Sequence, residues 1–151
     1  MNRPLLAALT LAAAAFSLPA AAQFQKPEDA VKYRQSGMFV MANHFGRIGA
    51  MVQGRVPYDA AIATANAELV ATLSKLPFAG FVEGTPGTAK GTAAPAIWTK
   101  RADFDAGAKK MQDEVAKLVA ASKTNNLDNL KAAFGEVGKT CKGCHDNFRN
   151  Q

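Results

Sequence analysis

The sequence predicts an all-α protein, an antiparallel up-down-up-down four-helix bundle. Three observations lead there. Four stretches carry apolar residues at alternating steps of three and four, the stripe of a helix that faces a bundle core. No stretch alternates polar and apolar residues for long enough to compete as a strand, and no internal repeat is present. All connections but one are short, which sets successive helices side by side and antiparallel. Composition agrees: with 48% hydrophobic residues, 8% aromatic and abundant Ala, the 151-residue chain leans toward helix and can fill one core.

Residues 1–22 are expected to lie outside that domain. Arg3 is a positive n-region, "PLLAALTLAAAAFSL" an apolar h-region, and Ala20, Ala21 and Ala22 a small-residue cleavage site before Gln23. This is the layout of a secretory signal peptide cleaved after Ala22. The alternative is a retained anchor, for which the apolar run is short. The expected domains are thus a signal peptide, 1–22, and a mature bundle, 23–151, that works in the periplasm without stable membrane insertion.

The first helix is predicted from Pro27 to Gln53. Pro27 suits a first helical position, and Glu28 and Asp29 put negative charge in the first turn. Its stripe is Val31, Arg34, Met38, Met41, Phe45, Ile48 and Val52, broken only by Arg34. The second begins after Asp59, a good N-cap, and runs to about Leu76, with Ile62, Leu69, Leu73 and Leu76 as its stripe. Pro77 closes it. A long segment without helical period follows, "PFAGFVEGTPGTAKGTAAPAIW", of the kind that is either functional or folded over something. Thr99 is read as the cap of the third helix, striped by Phe104, Ala108, Met111, Val115 and Leu118. Asn126 caps the fourth, whose stripe is Leu127, Leu130, Phe134, Val137, Cys141, Cys144 and Phe148.

Charge narrows the function classes. The full chain has 18 basic and 12 acidic side chains; without residues 1–22 the count is 17 against 12, or +5. The basic residues form no dense run interleaved with aromatics, which argues against nucleic acid as a partner.

The chemistry is concentrated in "EVGKTCKGCHDNFRN", residues 136–150, which holds both cysteines of the chain and one of its two histidines. On a helix, Cys141 and Cys144 are i, i+3, and His145 is i+4 from Cys141, so all three share one face. Two thiols so placed can add to the two vinyl groups of one porphyrin while the imidazole ligates the iron. The seam position supplies an apolar slot for the macrocycle. Other readings fare worse. A zinc site wants a fourth ligand, and the only other His or Cys is the off-stripe His44, read as a surface residue. A thioredoxin-like pair expects a βαβ pattern, and a disulfide inside a continuous helix strains its geometry. The cofactor expected is one covalently attached haem c.

Over its mature length the chain resembles the cytochromes c′, the class II c-type cytochromes. The match is carried by "QKPEDAVKYRQS", "ANHFGR", "PYDAA", "TLSKLPF", "PAIW" and "CKGCHDNFR". The resemblance implies thioether links at Cys141 and Cys144, axial ligation by His145, and haem contacts from Arg34, Gln35 and the loop residue Thr92. It also implies a place for Arg149 beside the proximal imidazole, Met38 over the distal face, and homodimers formed through the first two helices. A charged Arg34 on a core seam needs partners, and haem propionates would serve; otherwise it reaches solvent. Trp98, Phe81 and Phe104 read as core or haem-wall packing.

The expected function is periplasmic electron transfer with redox partner proteins, plus binding of NO and CO at a five-coordinate, high-spin iron. The alternative is a low-spin electron carrier with Met38 as sixth ligand, since a thioether is a competent iron ligand. Catalysis is not expected, because the stripe of Met38, Met41 and Phe45 offers no general acid or base.

Overall fold

The computed structural model describes residues 23–151; the signal peptide expected at residues 1–22 lies outside the described residues. Five helices follow in order: α1 (Pro27–Val52), α2 (Ala60–Leu73), α3 (Ala96–Thr99), α4 (Arg101–Ser122) and α5 (Leu127–Phe148), with a 3-10 turn at Pro77–Gly80. The four long ones form the bundle. Each packs antiparallel on its neighbours around a ring α1–α2–α4–α5, as paired contacts show. His44 meets Asn66 while Gly37 lies against Pro77; Thr64 meets Ser122 while Gln112 meets Ser74. The described residues contain no strand, only one antiparallel bridge between Ala93 and Arg149.

The helix starts follow from local chemistry. The Asp59 carboxylate accepts the backbone N–H of Ile62, and the Asn126 side chain accepts those of Asp128 and Asn129, satisfying donors that a first turn leaves free. The α1 stripe is as read: Arg34, Met41 and Ile48 are buried, with Val31, Met38, Phe45 and Val52 partly so.

Three readings are corrected. The stripe assigned to α2 is rotated. Ile62, Leu69 and Leu76 are exposed, and the buried face is Ala63, Asn66, Ala67 and Val70. Small residues let α2 approach α1 and α4 closely, and the bulky side chains are left outside. α2 also ends at Leu73, before a turn that leads into Pro77–Gly80. Thr99 does not cap α4: it closes the one-turn α3, and Lys100 stands at the cap position without a side-chain hydrogen bond.

The core is divided. One cluster, built on Met41, Ile48, Val70, Val115, Leu118, Leu130 and Val137, fills the end of the bundle near the α1–α2 and α4–α5 turns. A second, Ile97, Phe104 and Phe148 with Phe78, Phe81 and Trp98 beside it, closes the other end. Phe81, Phe104 and Phe148 pack ring on ring, with centroids 4.9 and 5.4 Å apart. The loop lies on α1 at Gly80, where an added Cβ would stand 2.6 Å from the Ala30 carbonyl oxygen and 2.9 Å from the Arg34 Cβ. Substituting Gly80→Ala is therefore expected to lift the loop and destabilise the fold by about 2 kcal/mol, the usual cost of overpacking, read as a lower urea midpoint at unchanged slope.

Candidate haem site

The C-terminal half of α5 turns Cys141, Cys144 and His145 inward between the two clusters. Cys141 packs against the first cluster and Cys144 against the second, so the two sulfurs stand at either side of the gap. Both cysteines are half-buried and free. Burial pushes both thiols up, and Cys144 further through the neighbouring Cys141. The polypeptide therefore presents protonated thiols, which oxidise and couple slowly unless activated.

His145 is held below the ordinary histidine range by burial first and then by the positive charge of Arg149, against a smaller opposing pull from Asp146. The residue as a whole is exposed, so the desolvation acts on the ring side that meets the cavity walls; Arg149 works in the same direction. A neutral imidazole is the form that ligates a metal.

These three residues line a cavity of about 240 Å³ whose far wall is Met38, Met41 and Phe45 of α1 and Met111 of α4. Apart from Cys141, Cys144 and His145, nothing titratable lines it, and Thr140 is the one other polar side chain. A second cavity of about 360 Å³ shares Met38, Ala42, Phe78, Cys144 and His145 with the first and extends it to Arg34, Gln35, Thr92 and Arg149. All eight residues singled out in the sequence thus border one or both of two adjacent cavities. Taken together the two are of the roughly 300–1,000 Å³ size of pockets that hold cofactors. An apolar slot with two thiols and a neutral imidazole on one wall fits a covalently held haem. It does not fit zinc: among the described residues, no group of three or more His, Cys, Asp or Glu is arranged to hold a metal ion.

Arg34 is 4% exposed and finds partners within the chain. Its guanidinium donates to the Gly80 carbonyl (3.1 Å), the Thr85 hydroxyl (2.7 Å) and the Thr85 carbonyl (2.5 Å), and lies 4.9 Å from the Phe81 ring centroid. The buried charge is neutralised by loop dipoles and an aromatic face. Burial alone accounts for its lowered pKa. Thr85 carried no signal in the sequence, because it lies in a stretch without period. His44, read as a surface residue, is half-buried, and its Nδ1 donates to the Asn66 side-chain oxygen at 2.9 Å. Asn66 spends its own amide on the Ile62 carbonyl, so its oxygen must accept.

The family profile described as Cytochrome C' matches residues 29–149. The chain belongs to the cytochrome c′ family. A cytochrome c′ of Alcaligenes xylosoxydans xylosoxydans is 52% identical over 129 residues, 85% of this chain and 99% of the relative. The crystal structure of cytochrome c′ from Rubrivivax gelatinosus superposes with a TM-score of 0.79 at 52% identity, covering 85% of this chain and 100% of that one. A nitric oxide complex of a variant of the Alcaligenes xylosoxidans protein superposes equally well, with a TM-score of 0.79 at 50% identity, over 85% of this chain and 99% of that one. Cytochromes c′ carry a single covalently bound haem c per chain and act as electron carriers and gas binders rather than as enzymes.

The Arg34 contacts carry a test. Replacing Arg34 by Met leaves the Gly80 and Thr85 oxygens without donors, and is expected to cost about 3 kcal/mol, measured by urea unfolding of the haem-loaded protein.

Proposed function

We propose that this cytochrome c′ is a periplasmic carrier of electrons that also binds NO and CO at a five-coordinate, high-spin haem iron. Cys141 and Cys144 would hold the haem through thioether bonds, and His145 would ligate its iron. The observation that carries the reading is the cavity of about 240 Å³, with both thiols and a neutral imidazole on the α5 wall and only apolar residues facing them from α1. Electron exchange and a coordination site for diatomic gases are what the bound haem supplies.

The chain's own residues account for the rest. His145, kept neutral, offers a lone pair to the metal. Met38, half-buried at the wall of both cavities, would screen the site from water and anions without ligating. Its flexible thioether would give way to a small neutral gas at little cost. Arg34, Gln35, Thr92 and Arg149 surround the mouth of the site. The nitric oxide complex of the related variant supports the gas-binding part. Export is served by a signal peptide cleaved after Ala22.

The test is optical. The ferric and dithionite-reduced protein should show broad high-spin bands that shift on adding NO, in the wild type and in Met38→Ala alike. Sharp, split low-spin bands that vanish in Met38→Ala would instead make Met38 the sixth ligand.

Periplasmic redox proteins are the partners in electron exchange, and a second copy of the chain is the structural partner. Ile62 and Leu69 stand exposed on α2 and Leu76 in the turn that follows it, at seven-residue spacing, and the exposed Val40 of α1 lines a groove with Leu73 and Leu76. A Leu69→Glu substitution buries a charge in any interface formed there. It is expected to convert dimer to monomer in light scattering while leaving the haem spectrum unchanged.

A further inference from the structure

Three residues after His145 the chain leaves α5, at Phe148, and runs antiparallel to the loop segment 87–94. The Ala94 N–H donates to the Phe148 carbonyl at 3.0 Å, the Asn150 N–H to the Thr92 carbonyl at 2.9 Å, and the Gly91 N–H to the Asn150 carbonyl at 2.7 Å. Arg149 adds a bond from Nε to the Gly91 carbonyl at 3.0 Å. The side-chain amide of Asn150 then reaches across the strap. Its Nδ2 donates to the Gly87 carbonyl at 2.7 Å and to the Thr92 hydroxyl at 3.0 Å. It bridges Gly87 and Thr92, reinforcing the bond that the Gly87 N–H donates to the Ala93 carbonyl at 2.9 Å.

The strap is shaped for this docking. Gly91 has φ +81°, and a Cβ there would stand 2.9 Å from an Arg149 guanidinium nitrogen. What the strap does follows from its place. Thr92 and Arg149 border the inner cavity beside His145. Gly91, Arg149 and His145 also border an outer hollow of about 430 Å³, together with Lys90, Lys142 and Asp146. The paired strap and tail are the partition between that hollow and the haem cavity.

We propose that Asn150 is a positioning residue for the haem site: its amide clamps the 87–94 strap to the tail, holding Thr92 and Arg149 at the cavity wall and keeping the partition closed. The role rests on the haem reading above. Without the clamp the backbone pairing remains, and the strap opens more often rather than unfolding. Loss of two side-chain hydrogen bonds raises the open population about tenfold.

The experiment uses the haem-loaded protein as wild type, Asn150→Ala and, as a control for other tail contacts, Gln151→Ala. Limiting trypsin reads strap opening as cleavage of the Lys90–Gly91 bond, followed by mass spectrometry. Flash photolysis of the ferrous CO complex reads the site. Asn150→Ala should be cut after Lys90 about tenfold faster and recombine with CO at an altered rate, while Gln151→Ala follows the wild type in both. Unchanged Lys90 cleavage in Asn150→Ala overturns the clamp. Faster cleavage with unaltered CO recombination and haem bands overturns the positioning role. A wild type without haem absorbance overturns the haem reading and that role together, while Lys90 cleavage still reports on the clamp.

Discussion

The whole arrangement depends on one constraint: a bundle core that must stay open at its middle. Protein interiors close to crystalline density when nothing holds them apart, because every unfilled gap forfeits dispersion contacts. Here the core is two clusters instead of one, and the helices are braced on both sides of the gap. Toward the turns, aliphatic side chains of all four long helices interdigitate. At the other end the loop from Pro77 onward takes the place of a fifth wall, held by tilted and edge-on aromatic rings and by Arg34. A guanidinium buried among rings would be ruinous alone; with fixed oxygens facing both terminal nitrogens it becomes a rivet between α1 and the loop. Sulfurs, imidazole and Met38 then meet in the space that the braces keep clear.

How much of this was legible in the sequence varies with how local the cause is. Asp59 and Asn126 acted as caps because capping is settled within four residues. The CKGCH stretch was legible because a helix by itself puts its three reactive groups on one face. α2 was misread because hydrophobic size was taken for burial. In a tight helix pair small residues occupy the interface, and Leu69 is left outside while Ala63 is sealed in. No period marked Thr85 or Asn150 either, since their partners lie across the fold.

Arg34 shows the middle case. Its oddity on an apolar stripe announced either a buried partner or an escape to solvent, and burial at 4% decides for the partner. The identity of the partner could not be read, because charge demands compensation without naming it: carbonyl dipoles from a loop satisfy the demand as well as carboxylates would. His44 went the other way. Its phase on α1 pointed off the stripe, yet the bundle interface is wider than a single seam, and a buried Asn on α2 was waiting for a donor.

The bonds that secure the site span long stretches of chain. Arg34 reaches Thr85 over 51 residues, and Asn150 reaches Gly87 over 63. The helices, by contrast, are made of contacts four residues apart. Local contacts form early in folding, whereas distant ones wait for the loop-closure entropy to be overcome. The costliest part of the site in loop-closure entropy is therefore its rim and not its slot: the slot is lined by helices that form locally, whereas the rim exists only once the whole chain has come together.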